Sequence, residues 1–243
     1  MDSSNHVRGS EPGAEEPPEW PPDWVVEHVA ETGSTNADLV AAAAGGAPDR
    51  TVRFTDHQTA GRGRLDRVWT APPGANLLVS ILFRSVPPDP SELTRRVGLA
   101  AVDAVRHVAG VSAVLKWPND VLVGDRKLAG ILAQRAGDGS VVIGMGLNVG
   151  WAPDGAARLD DGITPATVLR ALLAAYDELP DVIDTHYRAR LDTLGRRVRI
   201  ELPAGELIGT AVDVDPDGRL VVLDECAITH RVSVGDVVHL RRA

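Results

Sequence analysis

Four short stretches carry residue types whose chemistry exceeds what a fold requires. The run Gln58-Thr59-Ala60-Gly61-Arg62-Gly63-Arg64, followed by Trp69, joins glycines to guanidinium groups. Glycine lets the backbone approach a ligand closely, and successive backbone N–H groups can then face an anion. Arg62 and Arg64 add permanent charge and a two-pronged geometry suited to phosphate or carboxylate. Trp69 adds a planar face. Arginine–glycine runs also occur in RNA-binding tails. This one is a single copy bounded by strand-like sequence, which points to an anionic ligand held within the fold.

The second stretch is Lys116-Trp117-Pro118-Asn119-Asp120, followed by Arg126-Lys127-Leu128-Ala129-Gly130-Ile131. Trp117-Pro118 disfavours helix and fixes a bend. Asn119 can donate and accept, whereas an ionised Asp120 only accepts. Lys127 opens a return strand, and Gly130 leaves room beside it. An ammonium, a carboxylate and an amide on adjacent strands either flank one substrate or form an ordinary hairpin ion pair. Lys116 and Lys127 are the only lysines; the other 23 of the 25 basic residues are arginine. A compact ammonium is therefore kept at two places where a planar guanidinium is no substitute. The third stretch, Gly144-Met145-Gly146-Leu147-Asn148-Val149-Gly150, bares one strand face, either for a ligand or for tight packing. It lacks the helix that a dinucleotide fingerprint needs. The fourth, Gly33-Ser34-Thr35-Asn36, reads as a helix N-cap or as free N–H groups awaiting a polar ligand.

These stretches need elements to hold them. Val25, Val26, His28 and Val29 predict a first strand, and residues 37–44 a short helix ended by Gly45-Gly46. Residues 50–57 and 76–84 read as strands, separated by a long loop over 58–75 rich in glycine and proline. Loops of that length within a compact domain are usually functional or mobile. Leu93, Val97, Ala100, Ala101, Ala104, Val105 and Val108 form the stripe of a helix over 91–108. Strands follow over 113–116, 120–123, 127–135 and 140–149, and a helix broken at Pro180 over 164–194. From Arg196 onward, short strands punctuated by Gly and Pro predict a small β-barrel. The main unit then reads as α+β, a mixed or antiparallel sheet with helices on one side.

Composition narrows the function. At roughly 150 residues per domain, 243 residues make one large unit with a small annexe. No apolar run is long enough for a transmembrane helix, no secretory signal precedes the first strand, and one cysteine, Cys226, fits a reducing cytoplasm. The net charge of −9 includes −5 within residues 1–23. An acidic body is a poor polyanion binder, so a nucleic-acid-binding module built on Arg62, Arg64 and Arg67 is disfavoured.

Taken together, residues 33–36, 58–64 with Trp69, 74–76, 116–120, 126–131 and 144–148 resemble the biotin protein ligases in order and approximate spacing, over about residues 24–243. The resemblance implies a class II synthetase-like catalytic domain over 23–195 with a mixed sheet and helices. A disordered, acidic, Pro-rich tail (1–22) would precede it, and a C-terminal SH3-like β-barrel (196–243) would follow. It implies activation of biotin by ATP to biotinyl-5′-AMP, then transfer to a lysine of a biotin carboxyl carrier protein domain, with Mg²⁺ accompanying ATP and no metal ligands of the chain's own. The catalytic residues would be Lys127, Arg64 and Asp120, with Asp120 also steering the incoming lysine. Biotin would be bound by Ser34, Thr35, Asn36, Gln58, Gly61, Arg62, Arg64, Lys127 and Gly130. The nucleotide would be bound by Arg62, Arg64, Trp69, Asn119 and Asn148. Leu65-Asp66 departs from the family pattern, in which a basic residue or glycine is common. The short acidic N-terminus leaves no room for the DNA-binding domain of some relatives, so a monofunctional, cytoplasmic enzyme is expected, a monomer or weak homodimer without DNA or membrane partners. The nearest rival is a lipoate-protein ligase; the Gly61–Arg64 loop and the C-terminal barrel favour biotin.

Overall fold

Apolar strands and four helices assemble around one seven-stranded sheet. The computed structural model describes residues 19–65, 67–202, 205–233 and 235–240. Residues 1–18 of the expected tail and Asp66 lie outside the described residues. The elements run β1 (Val25–Thr32), α1 (Thr35–Ala44), β2 (Thr51–Gln58), β3 (Leu77–Phe83), α2 (Ser91–Ala109), β4 (Val114–Lys116), β5 (Asp120–Val123), β6 (Arg126–Arg135), β7 (Val141–Leu147), α3 (Pro165–Asp177) and α4 (Asp184–Arg190). The sheet order is β1-β2-β3-β7-β6-β5-β4. Only β1 and β2 are parallel, so the sheet is mixed.

Alternation decides what each face meets. Leu77, Val79, Ile81 and Phe83 of β3, with Val141, Ile143, Met145 and Leu147 of β7, join the core that α2 and α3 cover. Helix α2 lies close because Ala100, Ala101 and Ala104 stand in its stripe and because of Gly98, where a Cβ would stand 3.1 Å from Leu115 Cδ2. The opposite residues, Leu82 and Val142, pack with Leu39 and Ala43 of α1 and with Ala136. Helices therefore cover both faces, not one. The short, alanine-rich α1 gave no clue to its side, because it covers only one end of its face.

The expected break at Pro180 is present, but it is wider than one residue and the second helix ends at Arg190 rather than Leu194. α3 stops at Asp177, before Pro180, whose ring disfavours helix in the residue preceding it. α4 begins only at Asp184, and Leu191 leaves it with an extended backbone to bridge Leu115 of β4. Trp20 packs edge-on to Phe54 at 5.8 Å between ring centres, so ordered contacts begin within the segment read as tail.

The C-terminal strands β8 (Arg197–Leu202), β9 (Gly205–Val214), β10 (Leu220–Asp224), β11 (Thr229–Val232) and β12 (Asp236–His239) form an antiparallel sheet in the order β11-β10-β9-β8-β12. This is the sheet content expected of an SH3-like unit; β11 and β12 stand at its two ends and are not paired among the described residues. Val198, Ile200, Ala211, Leu220, Val222 and Val237 face inward and share the core of the main unit. Trp117 Nε1 donates to the Gly218 carbonyl at 3.0 Å and fixes this sheet against the 116–120 turn.

Candidate active site

Beyond the end of α1, its sheet face carries glycine in place of apolar side chains. Gly130 of β6 and Gly146 of β7 are paired in register, and Gly144 follows along β7. The bare strip is filled from above. A Cβ on Gly146 would stand 2.5 Å from Trp69 Nε1 and 2.7 Å from its Cζ2, and one on Gly144 would strike the Asn36 carboxamide. Of the two readings of this segment, tight packing is thus realised by side chains, over a floor that also lines a cavity of about 590 Å³. That volume falls within the roughly 300–1,000 Å³ of small-molecule sites.

A bulge brings the lysine to this floor. Gly130 and Lys127 have opposite parity in β6, so a regular strand would send them to opposite faces. The β5–β6 register slips between Val121 and Leu122, which pair with Ala129 and Lys127, so that Leu128 is the extra residue. Such an insertion re-aims side chains. Leu128 turns into the core, and Lys127 Nζ reaches the cavity, 2.9 Å from where a Gly130 Cβ would be. There it lies 2.6 Å from Asp120 Oδ1 and 5.7 Å from the Trp69 ring centre.

The arginine stretch folds back as a small hairpin arm. Arg62 and Val68 form a bridge, and Trp69 N donates to the Gly61 carbonyl at 3.1 Å. Arg64 Nη1 donates to Asn119 Oδ1 at 3.2 Å, and Asn119 Nδ2 donates to the Ile131 carbonyl at 2.6 Å. The arm is thereby tied to the turn that carries Asp120.

The opposite end of the cavity is uncharged and tightly networked. Gln58 Oε1 accepts the Thr35 backbone N–H at 2.9 Å, so Gln58 caps α1, while the Ser34 hydroxyl makes no cap bond. Thr35 Oγ1 lies 2.7 Å from Ser80 Oγ, which donates to Asn36 Oδ1 at 2.6 Å. Ser80 donates its one proton to Asn36, so the single Thr35 proton is shared between Ser80 Oγ and Gln58 Oε1, which lies 3.1 Å away.

Ser34, Thr35, Asn36, Gln58, Arg62, Arg64, Trp69, Asn119, Asp120, Lys127, Gly130 and Asn148 all line this one cavity. Gly61 does not; its α-position is closed by the Trp69 carbonyl. Asn148 is 2% exposed and committed at both ends, accepting from Asn76 Nδ2 at 3.2 Å and donating to the Ala157 carbonyl at 2.9 Å. Residues not assigned from sequence also line it: Lys116, which pairs with Asp120 in register, and Glu201, Asp236 and Val238 of the C-terminal sheet. No motif marks these three, because only long-range packing brings them in. Five cationic residues (Arg62, Arg64, Arg67, Lys116, Lys127) line the cavity against three carboxylates (Asp120, Glu201, Asp236). In an acidic chain this concavity is positively biased, which favours an anionic ligand.

Below the 116–120 turn, His239 Nε2 lies 3.1 Å from Thr193 Oγ1, which accepts the Trp117 N–H at 3.0 Å. Burial pushes the His239 imidazole down to about 4, helped by the charges of Lys116 and Arg196. It is therefore neutral and accepts from the threonine hydroxyl.

Comparison with known proteins is consistent with this site. Residues 34–150 match the biotin/lipoate A/B protein ligase family, and residues 193–240 match the biotin protein ligase C-terminal domain. The biotin--[acetyl-CoA-carboxylase] ligase of Mycobacterium tuberculosis is 44% identical over 236 residues, covering 88% of each chain. The bifunctional ligase/repressor BirA of Escherichia coli is 30% identical over 78% of this chain and 66% of its own. Among solved structures, the biotin protein ligase from Aquifex aeolicus in complex with biotin and ATP superposes with a TM-score of 0.77 at 23% identity, over 90% of this chain and 99% of that one. The Leishmania major enzyme in complex with biotinyl-5-AMP gives 0.64 at 22%, over 88% and 100%. These two likenesses concern the fold.

Proposed function

The chain belongs to the biotin protein ligases, and we infer from that membership and from the cavity that it activates biotin with ATP to biotinyl-5′-AMP and transfers the biotinyl group to a carboxylase. The observation that carries the reading for this chain is the meeting of Lys127, Asp120 and Arg64, from three separate segments, over one bare glycine floor.

Our assignment of roles follows from the charges. A carboxylate must attack an anionic α-phosphate, and the repulsion between the two anions must be offset where they meet. Lys127 supplies a point charge there, oriented by Asp120. Arg62 and Arg64 hold the phosphate from the arm. The biotin carboxylate oxygen bonds to phosphorus as the bond to pyrophosphate breaks. Thr35, Asn36 and Gln58, beside Ser34, offer donors and acceptors to the uncharged end of biotin, and Gly130 leaves room for Lys127 and Trp69 to lie against the floor beside it. Trp69 presents its face to the adenine, and Asn119 sets Arg64. Asn148 contributes by rigidity, since its amide is already committed. In the second step, the amine of a carrier-domain lysine attacks the acyl carbon, AMP leaves, and Asp120 steers the incoming ammonium and takes its proton.

Among the described residues, no group of three His, Cys, Asp or Glu side chains could hold a metal ion. Mg²⁺ keeps most of its waters and binds through substrate phosphates, so we assign it to MgATP as substrate. We further assign residues 23–195 to activation and 196–243 to the C-terminal unit, and propose a cytoplasmic monomer or weak homodimer without a DNA partner. No helix among the described residues is long and apolar enough to cross a membrane.

The test is incubation with biotin, MgATP and an apo carrier domain, read by mass spectrometry, beside pyrophosphate exchange with biotin or lipoate. Biotin-dependent exchange and one biotinyl adduct are expected. Turnover with lipoate alone would overturn the reading.

A further inference from the structure

The edge strand β12 touches both halves of the cavity. At its start, the Gly235 carbonyl accepts from Arg64 Nη1 and Nη2 at 3.4 and 3.5 Å, and the Asp236 carboxylate forms an ion pair with Arg67. At its end, His239 reaches the Trp117 backbone through Thr193. Pairing with β8 anchors the strand between these points. The arginine arm and the catalytic turn are thus held by the same four-residue strand.

The pair at its start is asymmetric. The Asp236 side chain is 19% exposed and that of Arg67 is 66% exposed, so the carboxylate is the fixed partner. Asp236 also lies opposite Glu201 in the β8–β12 register, and both line the cavity. Two opposed carboxylates repel unless cations pair with them; Arg199 stands 3.4 Å from Glu201, and Arg67 serves Asp236. On the arm, Arg62, Arg64 and Arg67 carry like charges close together in sequence. Of these, Arg67 neutralises Asp236, while Arg64 reaches Asn119 and the Gly235 carbonyl.

We propose that Asp236 is a positioning residue for the adenylation reaction: by holding Arg67, it keeps the arm that carries Arg62 and Arg64 seated over the cavity, so that the mixed anhydride stays enclosed until the amine arrives. The proposal rests on the ligase reading above. It makes the C-terminal sheet part of the enclosure.

Two readouts test it. Biotin-dependent pyrophosphate exchange reports formation of the adenylate, and AMP accumulation without carrier reports its escape. Asp236→Asn should raise escape roughly two- to fivefold, the range of a partly exposed ion pair. It should raise KM for ATP by a similar factor and leave the exchange kcat within about twofold. Asp236→Glu, and the swap Arg67→Asp with Asp236→Arg, should restore low escape. Should Asp236→Asn melt out, Arg67→Gln removes the same pair from its exposed end and is read in the same way. Unchanged escape in the charge-removing variants, or equal escape in all of them including the swap, overturns the proposal. If the unaltered protein shows no biotin-dependent exchange, it is the ligase reading that fails.

Discussion

Substituting Gly146 by alanine separates packing from chemistry at the cavity floor. The new Cβ would lie 2.5 Å from Trp69 Nε1 and 2.7 Å from Cζ2, and closer still to Cε2. Carbon contacts settle near 3.5–4.0 Å, so the indole must retreat by roughly 1 Å. The ring is rigid, and its backbone is pinned where Trp69 N donates to Gly61 and the Trp69 carbonyl closes over the Gly61 α-carbon. The only free direction is upward, into the cavity. Because space exists there, the cost in stability should sit near the low end of overpacking, about 1 kcal/mol. Activity should suffer more, since a misplacement of about 1 Å at a reacting site can cost on the order of 10²-fold. The measurement is kcat/KM for biotin-dependent pyrophosphate exchange, paired with a urea melt. Gly137→Ala serves as control, because a Cβ there meets nothing within 4 Å. Exchange by Gly146→Ala within threefold of the unaltered protein, or a loss that merely tracks the unfolded fraction, would refute the argument.

Other substitutions address the charges and the supporting network. Lys127→Arg puts a planar head into the space beside Asp120 and the Gly130 floor, and adenylate formation should fall about 10²-fold; near-normal exchange would count against the point-charge role. Asp120→Asn should slow carrier transfer more than exchange, by about 10²-fold if the carboxylate takes the amine's proton; equal losses in both steps would reduce Asp120 to orienting Lys127. Thr193→Val orphans the buried Trp117 N–H and should cost about 1–3 kcal/mol in urea unfolding; no loss would mean that the threonine bond is dispensable. His239 is depressed from 6.5 to about 4, so the unfolded chain binds the extra proton first. Stability should be full above pH 6.5 and fall as pH drops from there towards 4, with a slope of at most about 1.4 kcal/mol per pH unit. Asp138, Asp213 and Asp224 are shifted below 3.8, so their contribution is lost from about pH 5 downward, a range that overlaps only the lower end of that window. His239→Leu should flatten the slope, and an unchanged slope would sink this assignment.

How much of this was legible depends on whether a residue's neighbours in space were also its neighbours in sequence. Strands and α2 announced themselves through period-two and helical stripes, and Gly124-Asp125 marked the β5–β6 turn. Gly33-Ser34-Thr35-Asn36 marked the start of α1, although the cap comes from Gln58, 23 residues away. The two lysines and the arginine run identified the charged half of the cavity before any fold was known. Asn148 was drawn into the nucleotide set by its motif, yet its amide is spent on Asn76 and Ala157, a pairing fixed by tertiary packing. The same holds for Glu201, Asp236 and Val238. Lys127 and Gly130 share a face only because of a one-residue bulge, which alternation alone contradicts.

That bulge explains why precision and charge come from different parts of the site. The floor is backbone, with glycines on two hydrogen-bonded strands, and cannot shift without breaking the sheet. The uncharged end is likewise fixed, by a helix start capped from β2 and by hydroxyls buried between α1 and β3. Shape recognition can be exact only on such elements. The cations sit otherwise: Lys127 at a bulge, Arg62 and Arg64 on an arm, Lys116 beside a turn. Charge acts over longer distances than shape, so a turn or an arm can carry it without losing specificity. We propose that the glycine floor selects the ligand while charge from the arm and the turn encloses its reactive anhydride, a division of labour that a two-step reaction demands.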